Sequence, residues 1–273
     1  MKSPLLMQGL ISMSMDLQKA GIWKRFSAYL FDLMLVVFVT VAGAILFASM
    51  FRFDASVKEF AEITVEYEDK YGIDLDISQE DYNALSEAEK AAYDETYKIA
   101  LEEYSKDGRV SATYGAIVSK TLLIVALSLL FGVAIVHFLF PLLFKNGQTL
   151  GKKIFGLAVT RTNFVRLKSP ILFARSILGV YAIETMFPAF LIMMILLGNL
   201  GIIGVITLLL FLVLQIGVMI YTPTNSSIHD LLADTVVVDM ASQQIFETEV
   251  ERLEYVQAEA ARKAAETDGA YNR

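Results

Sequence analysis

Long apolar runs, rather than alternating or amphipathic ones, set the pattern of this chain. The first spans residues 28–51, follows Trp23, Lys24 and Arg25, and carries a single charge, Asp32. A run of ~20 or more apolar residues predicts a membrane-crossing helix. A second run covers about 115–144, with Lys120 near one end and His137 near the other. A third covers about 175–197 and includes Glu184 and Pro188. Gly198-Asn199-Leu200-Gly201 then reads as a tight turn into a fourth, 201–221. A proline inside a spanning helix predicts a kink at Pro188.

The segments between these runs differ sharply. Residues 1–20 place Leu5, Leu6, Gly9, Leu10, Met13 and Leu17 at helical spacing, which predicts an amphipathic helix lying on the membrane surface. Residues 52–116 hold 17 acidic and 7 basic side chains. Ser78 with Asp81 opens a helix there, and Tyr93, Tyr97, Leu101 and Tyr104 form a helical stripe, so this insertion reads as a pair of helices outside the membrane. Asp69 and Glu80 have the end-to-end spacing of a calcium loop, but Tyr71, Ile73 and Asp74 stand where ligands and the turn glycine belong, so that reading fails. Residues 145–170 carry six basic side chains and no acid. In the last loop Ser226 is placed to cap a short helical turn, and Thr235–Val238 reads as a strand whose partner is Leu157–Thr160. A C-terminal helix is expected around 245–265.

Composition narrows the class. The chain has 273 residues, is 55% hydrophobic and has a mean hydropathy of +0.53, too apolar for a soluble domain. A net charge of −7 excludes a nucleic-acid binder. The absence of cysteine excludes disulfides and thiol chemistry, and two histidines leave little for a metal centre. The fold class is therefore an all-α integral membrane protein of about four spans, with a helical insertion and a small cytoplasmic β element. It divides into an interfacial helix at 1–20, a first span at 21–51, the acidic insertion at 52–114, the remaining spans and loops at 115–240, and a C-terminal helix or tail at 241–273. Basic residues flank the first span and fill the 145–170 loop, which places both termini in the cytoplasm of a multi-pass cell-membrane protein and the insertion outside.

Candidate chemistry lies inside the apolar runs. Arg25 and Asp32 are seven residues apart, on nearly one helix face but about 10 Å apart along the axis, so a third group must stand between them. Asp32, His137, Glu184 and Gln215, from four different spans, all fall in the same half of the membrane at about 1.5 Å of rise per residue. Intramembrane ionisable groups are functional by default, although hydrogen bonding between helices also accounts for His137 and Gln215. Residues 146–153 resemble a phosphate loop, but the glycines are too close and Lys153 replaces the required Ser or Thr. His229-Asp230 has no nucleophile beside it. Neither an enzyme nor a cofactor is expected, and no internal repeat is evident.

Arg25, Asp32, the Gly147-Gln148-Thr149-Leu150-Gly151-Lys152-Lys153 segment and His229-Asp230-Leu231-Leu232-Ala233 together resemble the RDD family of bacterial membrane proteins. The resemblance covers about 21–51 and 115–240. This chain has Ser226 and Ser227 where many members are basic, and Asp234 where a glycine is common; the acidic insertion is not a core family feature. The resemblance implies transport of unidentified ligands, with cation/proton antiport among the activities described for the family. A site of Arg25, Asp32, Asp230, Glu184 and His137 then serves a monovalent cation or proton, in a homodimer within the lipid bilayer. The alternative is a scaffold, with Arg25 and Asp230 paired at the interface and the acidic segment presented to a partner.

Overall fold

The computed structural model describes residues 20–144 and 146–271, so the expected interfacial helix at 1–20, apart from Ala20, lies outside the described residues. In chain order the elements are α1 (Ile22–Met50), α2 (Phe53–Tyr71), α3 (Gln79–Ala84), α4 (Glu87–Lys106), α5 (Gly108–Phe144), α6 (Leu150–Ile154), β1 (Leu157–Arg161), α7 (Ser169–Leu196), α8 (Gly201–Tyr221), α9 (Ile228–Leu232), β2 (Thr235–Asp239) and α10 (Glu249–Tyr271). Helices α1, α5, α7 and α8 are long and apolar enough to cross a membrane. Helices α1, α5 and α7 begin before their apolar runs, because more polar residues continue the backbone ladder, whereas α8 coincides with its run. Arg175 thus lies inside α7 rather than at its start. Two stretches, Ala134–Leu139 in α5 and Ala174–Met186 in α7, widen into π-helical winding. Pro188, which lacks the N–H to continue that ladder, falls where α7 returns to ordinary α winding.

The chain forms two compact units, one of residues up to 40 with those from 129 onward, the other of 41–128. In the second, Arg52 takes a left-handed conformation and breaks the helix between α1 and α2. Ile63, Tyr67 and Val110 form its small core, with Tyr67 edge-on to Tyr104 at 5.3 Å. Arg109 clamps the Glu66 carboxylate at 2.9 and 3.1 Å. Ser78 and Ser86 cap α3 and α4. The tyrosine stripe is displaced from its expected course. Tyr93 and Tyr97 stack at 5.7 Å and Tyr104 packs inward, but Leu101 is 42% exposed and Ala100 is buried instead. Spacing 93–97–100–104 alternates four, three and four, which follows a helix face more closely than steps of four.

The first unit is capped by the β1–β2 ladder, antiparallel with Leu157 opposite Asp239 and Arg161 opposite Thr235. Both faces of the ladder are covered, so the first four residues of each strand are buried without alternation. Val159 and Val237 pack with Ala20 and Ala28, while Ala158, Val236 and Val238 pack with Ile245. The cap has an internal repeat that the residue pattern conceals. Helices α6 and α9 each have five residues, and each is followed, after two residues, by a five-residue strand. The residue before each strand, Gly156 or Asp234, has a positive φ of 68° or 52°. Each helix follows a pair of spans, α1 and α5 before α6, and α7 and α8 before α9.

Where α1 meets α5, a Cβ on Gly132 would stand 2.3 Å from Thr40 Oγ1 and 3.0 Å from the Val36 carbonyl. Small residues permit such close approach between membrane helices. Gly132→Val is expected to lower stability by about 1–3 kcal/mol, the usual cost of overpacking, read as a fall in melting temperature in detergent.

Candidate functional site

Two carboxylates, Asp32 and Asp230, are each only 1% exposed, and the chain holds them in different ways. Asp32 projects from α1 into the start of α6. It accepts the Thr149 hydroxyl hydrogen bond, the Gly151 N–H at 2.8 Å, and faces Lys152 Nζ at 3.7 Å. Thr149 also caps α6, its oxygen accepting the Lys152 N–H at 3.3 Å. Only glycine fits at 151, since a Cβ there would lie 2.4 Å from the Ala28 carbonyl and 2.8 Å from Asp32 Oδ1. The Gly-Gln-Thr-Leu-Gly-Lys segment is thus shaped to bring a hydroxyl, an amide and an ammonium to one buried carboxylate.

Asp230, on α9, is gripped by guanidinium groups. Arg175 donates to its Oδ1 from Nε at 3.1 Å and Nη2 at 2.8 Å, and Thr235 Oγ1 donates at 3.0 Å. Arg25 reaches Oδ2 at 3.9 Å and donates to the Thr224 carbonyl at 3.3 Å. Arg175 Nη2 lies 2.9 Å from His229 Nε2. A guanidinium only donates, so His229 accepts there, and its protonated Nδ1 donates to Glu184 Oε2 at 2.7 Å. Glu184 also accepts the His229 N–H at 3.0 Å. Gly179 leaves room for this packing, because a Cβ there would meet His229 Cβ at 2.5 Å.

The five candidate residues therefore separate. Arg25 and Asp230 meet, and Glu184 joins them through His229 and Arg175. Asp32 belongs to α6, not to the Arg25 face. His137 is half-buried on α5, its carbonyl accepting the Ser176 hydroxyl and its buried Nδ1 lacking a partner. Gln215 is half-buried on α8. The cap of α9 is Ser227 rather than Ser226, whose N–H donates to Thr222 Oγ1 at 2.8 Å. The correction follows from the turn geometry, which aims Asp230 back at the Ser227 N–H at 3.4 Å. Asp234 tolerates its left-handed backbone because its carboxylate accepts from Thr162 Oγ1 at 2.6 Å and Arg161 Nη2 at 3.1 Å. Arg175 is absent from the sequence candidates, and Lys152 enters them only as part of the Gly147–Lys153 segment. A lone arginine within the apolar flank Ile171–Leu178 was the available signal. Among the described residues no group of three or more His, Cys, Asp or Glu side chains could hold a metal ion.

Burial would raise the Asp230 carboxyl, but the Arg175 guanidinium, with Arg25, holds it well below the usual carboxylate range. Burial lowers the Lys152 ammonium to about 8, with Arg175 adding and Asp32 opposing. The unfolded lysine binds its proton up to about 10.4, so the folded state binds fewer protons between these values and gains stability as pH rises. Thermal melts in detergent are expected to shift upward from pH 8 to 10, and Lys152→Met to remove the slope. Arg175→Ala leaves a buried carboxylate unpaired and is expected to cost about 3–5 kcal/mol, partly recovered by adding Asp230→Asn.

Comparison with curated proteins and with solved structures gives no match. A family model described as RDD family matches residues 19–234, a stretch that holds Arg25, Asp32, the α6 turn, Arg175 and Asp230. With four membrane-crossing helices and a match over most of its length, the chain belongs to the RDD family.

Proposed function

We propose that this multi-pass protein exchanges a monovalent cation for protons, with Asp32 as the carboxylate at which they compete. The observation that carries the reading is the contrast between the two buried acids. Asp230 is locked by a planar guanidinium fork, an arrangement suited to permanent structure. Asp32 is balanced instead by a flexible ammonium 3.7 Å away, a compact charge that a small cation can replace. The oxygens at hand, the carboxylate, the Thr149 hydroxyl and the Ala28 carbonyl, are hard donors that suit an alkali cation. The Lys152 side chain is 13% exposed, which gives the pair a contact with water. The repeated helix–strand element supports the reading too, since internal repeats are a common basis of transporter folds.

In this reading the α6–β1 and α9–β2 cap faces the cytoplasm, in keeping with Lys152, Lys153, Arg161, Arg166 and Lys168 in one loop. A second reading, a membrane scaffold, is favoured by the same donors that fill the lone pairs of Asp32 and so fasten α6 to α1. The two readings separate on Asp32→Asn in proteoliposomes holding a trapped pH dye. Exchange predicts that Na⁺, K⁺ or Li⁺ changes the internal pH with wild type. Asp32→Asn should then lose the response by about tenfold or more at matched protein, equivalent to about 1.4 kcal/mol at the site. Silence in wild type, together with poor accumulation of Asp32→Asn, assigns the carboxylate to the scaffold.

A further inference from the structure

Where α1 begins and α5 ends, the surface opens into a groove of about 610 Å³ that no part of the exchange reading uses. Its wall includes Lys24, Phe144, Asn146, Gln148, Lys153 and Asp239. Two lysines against one carboxylate leave it with a net positive charge. Lys24 Nζ lies 2.7 Å from Asp239 Oδ2 with its side chain half exposed. Lys153 stands apart from the ion pairs of the described residues; its Nζ rests 4.0 Å over the centre of the Phe144 ring. That contact orients the ammonium without neutralising it. The groove sits at the level where two spans leave the apolar layer, and its surroundings are greasy. Trp23, next to Lys24, is 81% exposed, and Phe26 and Leu143 are also exposed. A tryptophan and lysines at a helix end mark the headgroup level of a bilayer.

We propose that this groove binds the headgroup of an anionic phospholipid, with the phosphate between Lys24 and Lys153 and the acyl chains along Trp23, Phe26 and Leu143. Three features favour a lipid over a soluble anion. The groove opens beside apolar side chains that water solvates poorly, the Asn146 amide in its lining suits a hydroxylated headgroup, and its charge attracts an anionic leaflet. Asp239 competes with the phosphate for Lys24, which gives the proposal a directional test. Removing a lysine weakens lipid binding, whereas removing the carboxylate strengthens it. Asparagine at 239 keeps an oxygen to accept the Ala241 N–H, bonded to Asp239 at 3.0 Å.

The test is native mass spectrometry of the full chain in mild detergent with phosphatidylglycerol or phosphatidylcholine added. Phosphatidylglycerol adducts are expected to dominate in wild type. Lys153→Gln should reduce them about fivefold, the effect of one lysine near an anionic surface, while Lys153→Arg keeps them. Asp239→Asn should raise them, which a merely structural role for these residues does not predict and which stands even if Lys153→Gln folds poorly. Equal adducts of the two lipids, or fewer phosphatidylglycerol adducts in Asp239→Asn, overturn the proposal. So does loss of the adducts to millimolar inorganic phosphate, which identifies the groove as a site for the free ion.

Discussion

A guanidinium and a carboxylate, each about 1% exposed, face one another 2.8 Å apart between α7 and α9, and neither tolerates that burial alone. The Arg175–Asp230 pair decides where α9 sits, and α9 leads directly into β2. Thr235, the first residue of β2, donates to the same carboxylate, so the ion pair also sets where the strand begins. Arg25 brings the start of α1 to the same point. His229 extends the grip to Glu184, with the tautomer fixed by the donor on its other side. The cluster adds to the packing of Val159 and Val237 on Ala20 and Ala28 in holding the short β1–β2 ladder over the helices, because a two-stranded ribbon is marginal by itself.

Asp32 is as deeply buried as Asp230, yet its surroundings differ in kind. Depth is thus the same for the two acids, and the counter-charge is what distinguishes them. A guanidinium stays protonated and offers a rigid fork, while an ammonium can move and can lose its proton. Burial moves Lys152 toward that loss, to about 8. The same fold thus contains one guanidinium–carboxylate pair and one ammonium–carboxylate pair.

Much of this architecture was legible in the residues. The four spans follow from run length, and the strand pairing of 157–160 with 235–238 follows from two β-branched stretches behind short capped turns. The acidic insertion was readable as helical from its caps and tyrosines, though not the turn of α4 that buries Ala100 in place of Leu101. The partners of Asp32 were not legible, since Thr149 and Gly151 lie more than a hundred residues away and the meeting depends on a glycine that lets α6 touch α1. Arg175 was hidden for a related reason. An arginine near a span's end reads as an interfacial anchor until the helix is seen to continue to Ser169 and place it inside.

The repeat in the cap explains how one fold holds both pairs. Lys152 and Asp230 are each the third residue of a five-residue helix that precedes its strand by the same distance. They occupy matching places with opposite charge, and each meets a group of the opposite sign on a spanning helix: Asp32 on α1, Arg175 on α7. The sequences hide this, since Gly151 matches His229 and Gly156 matches Asp234. Backbone conformation and capping are preserved where side-chain identity is not, with Thr149 and Ser227 at the caps and positive φ before each strand. The ladder joins the two halves with Val159 opposite Val237 at its centre. The ladder thereby ties the half that carries Lys152 beside Asp32 to the half that Arg175 holds through Asp230.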